Sequence, residues 1–84
     1  MLLIKNVHFT LIIRTSNRLR EFNFRKRNSS LYDTDVSDDR GNRHFFKMIN
    51  ENEKWVIAGN NLPVWITDSS DVIDKSLAQQ DALV

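Results

Sequence analysis

Apolar and polar residues alternate with a period of two along most of the chain up to Ala58, and turn-forming residues interrupt the alternation at short intervals. Val7, Phe9, Leu11 and Ile13 alternate with His8, Thr10, Ile12 and Arg14, which predicts a strand with one strongly apolar face. Beyond the short polar stretch Thr15-Ser16-Asn17-Arg18, Phe22 and Phe24 alternate with Glu21, Asn23 and Arg25. That spacing predicts a second strand and a hairpin. Asn28-Ser29-Ser30 breaks the pattern, and then Tyr32, Thr34 and Val36 alternate with Asp33, Asp35 and Ser37 as a half-buried third strand. Ser37 to Asn42 collects residues that bond their own backbone or tolerate positive φ, the chemistry of a tight turn, with Gly41 in the left-handed position. His44 to Ile49 reads as a fourth strand, with Phe46 and Met48 on one face and Phe45, Lys47 and Ile49 on the other. Two apolar-leaning faces point to a central or covered position. Asn50 to Glu53 is a hairpin loop, and Lys54 to Ala58 is a fifth strand rich in β-formers.

After Gly59-Asn60-Asn61 the period lengthens. Leu62, Ile66, Ile73 and Leu77 mark one stripe of a 3.6-residue helix, and Pro63 suits a first helical turn, where its missing N–H costs nothing. The pattern predicts a helix over roughly 63–80 with Asn61 or Leu62 as its cap, broken near 67–69, where Thr67-Asp68-Ser69-Ser70 has weak helix propensity and can cap a second start. Leu62, Trp65, Ile66, Ile73 and Leu77 are expected to dock this segment on the sheet, and Gln79 to Val84 to fray. The fold class is therefore α+β: an antiparallel β-meander of four to five strands with one C-terminal helix packed on the sheet.

Length sets the scale of this plan. Eighty-four residues suit one domain over residues 1–84, with an ordered core of about 7–80. Leu, Ile, Val and Phe supply 26 residues, about 31%, well above the roughly 20% below which chains stay disordered. A chain this short buries only about 60% of its unfolded surface, so a second copy forming a homodimer, or another protein, is an expected source of further burial. There is no cysteine, which excludes disulfides, thiolate metal sites and thiol catalysis. Met1-Leu2-Leu3-Ile4 is interrupted at once by Lys5, Asn6 and His8 and lacks the form of a secretory leader. No apolar run reaches the ~20 residues of a membrane-spanning helix. The expected location is cytoplasmic, with no membrane partner.

Chemistry is sparse. His8 and His44 are the only histidines, both fall in predicted strands, and no nucleophile elbow or metalloprotease helix accompanies them. Two glycines, Gly41 and Gly59, cannot make a phosphate-cradling loop. Asp33, Asp35, Asp38 and Asp39 resemble a calcium loop only superficially. Asp38 stands where Gly is required, and His44 where Glu is required. These acids read instead as solvated strand and turn residues, available for cross-strand pairs with basic residues of the second strand. Neither a metal nor a cofactor is called for, and an enzyme is not expected.

Charge by segment changes the picture. The net charge is +1, yet residues 1–30 carry seven basic side chains against one acidic, and residues 31–84 carry five against ten. Arg18, Arg20, Arg25, Lys26 and Arg27 interleave with Phe22 and Phe24, a composition that serves single-stranded nucleic acid through cations for phosphates and rings for bases. A stacking ring must be exposed, however. Phe22 and Phe24 read as the buried face of their strand while Arg25 and Arg27 point outward with Asn23. Trp55, Phe45 or Tyr32 on a helix-free face are the other candidate platforms.

The succession Phe22-Asn23-Phe24, Tyr32 to Asn42, Phe46-Lys47-Met48, Lys54-Trp55-Val56-Ile57 and Leu62-Pro63-Val64-Trp65-Ile66 resembles small bacterial proteins, a family of unknown function, built as a β-meander with a C-terminal helix. The resemblance covers about residues 8–80 and implies the fold alone, with no activity or site residues. The functional expectation is a small non-enzymatic binding or protein-interaction domain. The alternative is single-stranded nucleic-acid binding through the basic second strand, with Arg18, Arg20, Arg25, Lys26 and Arg27 as its contacts.

Overall fold

The computed structural model describes residues 7–84. The readings placed on the apolar Met1 to Ile4 and on Lys5 lie outside the described residues. Five strands, β1 (His8–Thr15), β2 (Arg18–Asn28), β3 (Leu31–Ser37), β4 (Arg43–Glu51) and β5 (Lys54–Ala58), are followed by α1 (Val64–Thr67) and α2 (Ser70–Asp81). The strands form one antiparallel sheet in the order β1-β2-β3-β4-β5. β4 is interior, as its two apolar-leaning faces implied. The sheet curls into a half-barrel: the single helix α2 packs against both β5 and β1, the first and last strands of the sheet.

The turns show how the local sequence sets the register. Ser16 and Asn17 join β1 to β2 with φ of 47° and 66°, and Asn52 and Glu53 join β4 to β5 with φ of 53° and 67°. Positive φ at both central residues is the geometry whose twist matches a two-residue hairpin. Neither Ser29 nor Ser30 takes a positive φ, and here β2 carries a bulge between Lys26 and Asn28 that supplies the extra twist. Between β3 and β4, Asp38 Oδ1 accepts the backbone N–H groups of Arg40 and Asn42, both at 2.9 Å. Gly41 takes a φ of 83°, with nothing within 4 Å of where a Cβ would stand, so conformation rather than space selects glycine there.

One face of the sheet and the helices enclose the core. Ile13, Phe22, Phe24, Tyr32, Val36, Phe46, Met48 and Trp55 meet Ile66, Ile73 and Leu77. Tyr32 packs edge-on against both Phe24 and Trp55, with centroids 6.1 and 5.2 Å apart. Of the five residues expected to dock the helical segment, Ile66, Ile73 and Leu77 are fully buried, and Leu62 and Trp65 are half-buried against the cluster.

The helical region is two helices, broken at Asp68 and Ser69 as the local sequence implied, and it departs from expectation in three other details. The first N-cap is Pro63 rather than Asn61 or Leu62; Asn61 instead has a φ of 57° and turns the chain toward the helix. Ser69 occupies the second N-cap position but makes no capping bond, since its hydroxyl donates to the Trp65 carbonyl at 2.7 Å and ties α2 to α1. The expected fraying does not begin at Gln79. α2 runs to Asp81, whose carboxylate accepts from the Tyr32 hydroxyl at 2.6 Å and from Lys26 Nζ at 3.0 Å. A carboxylate in the last turn of a helix opposes the helix dipole, and these two donors from the sheet offset that. Asp74 Oδ1 meanwhile accepts the Trp55 N–H at 2.7 Å, so α2 satisfies a donor of the edge strand β5.

Candidate functional site

Alternation along each strand sorts the charged residues onto two sides, and the sort divides the basic segment. Arg18, Arg20 and Lys26 share the inner side with Phe22 and Phe24, and each is engaged. Arg18 and Arg20 both reach Asp39 at 3.1 Å. Arg20 also donates to the Thr15 hydroxyl at 2.9 Å and lies 4.1 Å above the Trp65 ring. The Trp65 ring also meets His44 edge-on at 5.9 Å, and His44 pairs with Asp38 at 3.0 Å. That hydrogen bond is the largest reason the half-buried Asp38 carboxyl sits below the ordinary carboxylate range. Lys26 is held by Asp81. These three cations therefore clamp turns and helices to the rim of the core.

Arg25 and Arg27 stand on the opposite, helix-free face. Arg25 lies directly across from His8 on β1 and from Asp33 on β3, and Asp33 lies across from Lys47 on β4. One strand position along, the row is Thr10, Asn23, Asp35 and Phe45. Asp33 accepts from Lys47 at 3.0 Å and from Arg27, and these two hydrogen bonds, Lys47's first, hold its carboxyl below the ordinary range. Asp35 pairs with Arg43 and accepts from Asn23 Nδ2 at 2.9 Å, while Asn23 Oδ1 accepts from the Thr10 hydroxyl at 2.6 Å. The pairing expected between the clustered acids and basic residues of β2 is thus present at Arg27 with Asp33 and, on the inner side, at Arg18 and Arg20 with Asp39, while β4 supplies Arg43 to Asp35 and Lys47 to Asp33.

Arg25 makes no ion pair among the described residues, nor does Arg14 at the β1–β2 hairpin end of the same face, and Phe45 is 70% exposed in an interior strand. Of the three candidate platforms, Trp55 and Tyr32 are core residues and Phe45 alone is open to solvent. Around them runs a groove of about 700 Å³ lined by Arg25, Arg27, Arg43 and Lys47 against Asp33 and Asp35. Four cations face two acids, and the excess is local, since Glu21 and Glu51 lie toward the ends of the same face. Ile12 and Leu19, 66% and 63% exposed, extend that face toward the β1–β2 hairpin.

Reading the sequence found the basic strand and placed Phe45 and Lys47 together opposite Phe46 and Met48. It missed that Arg43 and Lys47 complete the cationic rim, because only the β3–β4 pairing carries them beside Asp35 and Asp33. Among the described residues, no three His, Asp or Glu side chains converge in a way that would hold a metal ion. No helix among them is long and apolar enough to cross a membrane. No family model, curated protein or solved structure matches the chain.

Proposed function

We propose that this chain is a non-enzymatic binding domain that captures an anionic partner on the helix-free face of its sheet. The observation that carries the reading is Arg25, a cation with no ion-pair partner among the described residues, in a groove where four basic side chains face two acids. An arginine left unpaired beside paired neighbours is a residual positive potential that an incoming anion completes at little reorganisation cost. The rigid sheet beneath holds the cations in fixed register, which favours binding over a flexible, self-neutralising surface.

Titration with inorganic polyphosphate at low salt, followed by backbone amide chemical shifts, tests this. The expected changes centre on Arg25, Asp33, Phe45 and Lys47 and spare Arg18, Arg20 and Lys26 on the inner side. Changes confined to the inner side, or none at about 50 mM salt, would overturn the assignment.

A further inference from the structure

The partner's chemistry is readable from what stands beside the cations. We infer that the helix-free face binds single-stranded nucleic acid, with Phe45 as the stacking platform for a base and Arg25, Arg43 and Lys47 as phosphate contacts. This rests on the reading of that face as an anion-binding surface and adds the class of ligand.

Three features favour a single strand over a simple polyanion. Phe45 is a phenyl ring 70% exposed on an interior strand, where an aromatic with no ligand leaves apolar area in water at about 25 cal/mol per Å². It is flanked along β4 by Arg43 and Lys47, each two residues away and so about 7 Å from it along the strand. A flat ring between two cations on one pleated row matches the alternation of bases and phosphates along an unpaired strand. Across the sheet Arg25 lies two strands from Lys47 in the same row, with Asp33 between them, so a second cation stands beside the path that Arg43 and Lys47 mark along β4. A duplex would present its bases edge-on in grooves, where a lone phenyl ring on a sheet gains no stacking.

Nucleic-acid recognition is therefore spread across β2 and β4 rather than carried by the second strand alone. Of the five basic residues in the Arg18 to Arg27 segment, Arg25 and Arg27 belong to this surface. Arg18, Arg20 and Lys26 point to the other side.

The test is fluorescence anisotropy with a labelled twelve-nucleotide oligothymidine, in parallel with inorganic polyphosphate and a duplex of the same length as competitors. Phe45→Ala should weaken oligothymidine about 5- to 150-fold and leave polyphosphate competition unchanged. Arg25→Ala and Lys47→Ala should each lower the salt dependence of oligothymidine binding by about 0.7 in log–log slope. Arg18→Ala, on the inner side, should leave both ligands unaffected. Oligothymidine binding that Phe45→Ala does not weaken, or duplex bound as tightly as single strand, would overturn the ligand assignment while the anion-binding face stands. Loss of both oligothymidine and polyphosphate binding at about 50 mM salt would overturn the face itself. Because Phe45 and Arg25 are exposed, their variants keep the core intact, and a native thermal transition confirms this in each case.

Discussion

Replacing Asp81 with alanine tests the contact that holds the end of α2 to the sheet. Asp81 accepts from the Tyr32 hydroxyl at 2.6 Å and from Lys26 Nζ at 3.0 Å. Tyr32 is fully buried, so the variant strands a buried hydroxyl without an acceptor, at about 1–3 kcal/mol. The Lys26 pair, about a quarter exposed at both partners, adds no more than about 1 kcal/mol after solvent screening. Against this, removing a carboxylate from the negative end of a helix returns about 0.3–1 kcal/mol. The net expectation is a loss of about 1–3 kcal/mol, read as a fall of about 5–20 °C in Tm for a domain of this size. Urea unfolding followed by tryptophan fluorescence is a suitable assay, since Trp55 is buried with its ring 5.2 Å from that of Tyr32. The decisive variant is the double substitution. Tyr32→Phe in the Asp81→Ala background removes the stranded hydroxyl as well, so the double variant should recover much of the lost stability. A double variant no more stable than Asp81→Ala alone would refute the reasoning.

Further outcomes follow from the same geometry. Ile66 is fully buried on α1, and Ile66→Ala should cost about 2–5 kcal/mol by urea unfolding. The Thr34 hydroxyl is buried in the sheet's inner face with no hydrogen-bond partner, so Thr34→Val should stabilise by about 1 kcal/mol in the same assay. Glu53 holds a φ of 67° in the β4–β5 turn, and Glu53→Gly, which gives the preferred Asn-Gly pair, should stabilise by up to about 1 kcal/mol, read as a rise in Tm. Stability should also depend on pH at both ends. Burial alone would raise the Asp81 carboxyl, but the hydrogen bonds from Tyr32 and Lys26 together outweigh it and hold it below 3.8, as those from Lys47 and Arg27 hold Asp33. The unfolded chain then takes up these protons first, so their contribution is present above about pH 4 and lost as pH falls through the lowered values. Tyr32 is the opposite case: burial, then the bond to Asp81, push its hydroxyl above the ordinary value of 10.0. Its contribution is present below pH 10 and lost as pH rises beyond it, a limb that Tyr32→Phe should remove from a plot of urea midpoint against pH.

Much of the architecture is legible along the chain because its determinants are local. The period-two alternation of Phe22 with Phe24, Tyr32 with Val36 and Phe46 with Met48 selects the inner face directly, and these residues are the core. Two-residue polar stretches and the Asp-rich, Gly41-containing turn keep successive strands adjacent, so the meander order needs no long-range information. The break at Asp68 and Ser69 follows from weak helix propensity. The N-cap did not follow: Asn61 takes a positive φ, and Leu62 packs beside Gly59, whose added Cβ would stand 3.1 Å from Leu62 Cδ1. The anchoring of Asp81 was equally hidden, because Lys26 and Tyr32 are more than 45 residues away in sequence.

The candidate site divides along the same line. By itself the sequence determined the strands, their inward and outward positions, and the concentration of positive charge before residue 31, all set by spacing within a few residues. Only the tertiary structure decided which side of the sheet the helices cover. That choice buries Tyr32 and Trp55, leaves Phe45 open, and divides the basic residues into three that clamp the rim and two that join Arg43 and Lys47 on the free face. In β4, whose two faces are both apolar-leaning, alternation does not say which one is wet; packing of the distant helices, driven by burial of Ile66, Ile73 and Leu77, makes that selection.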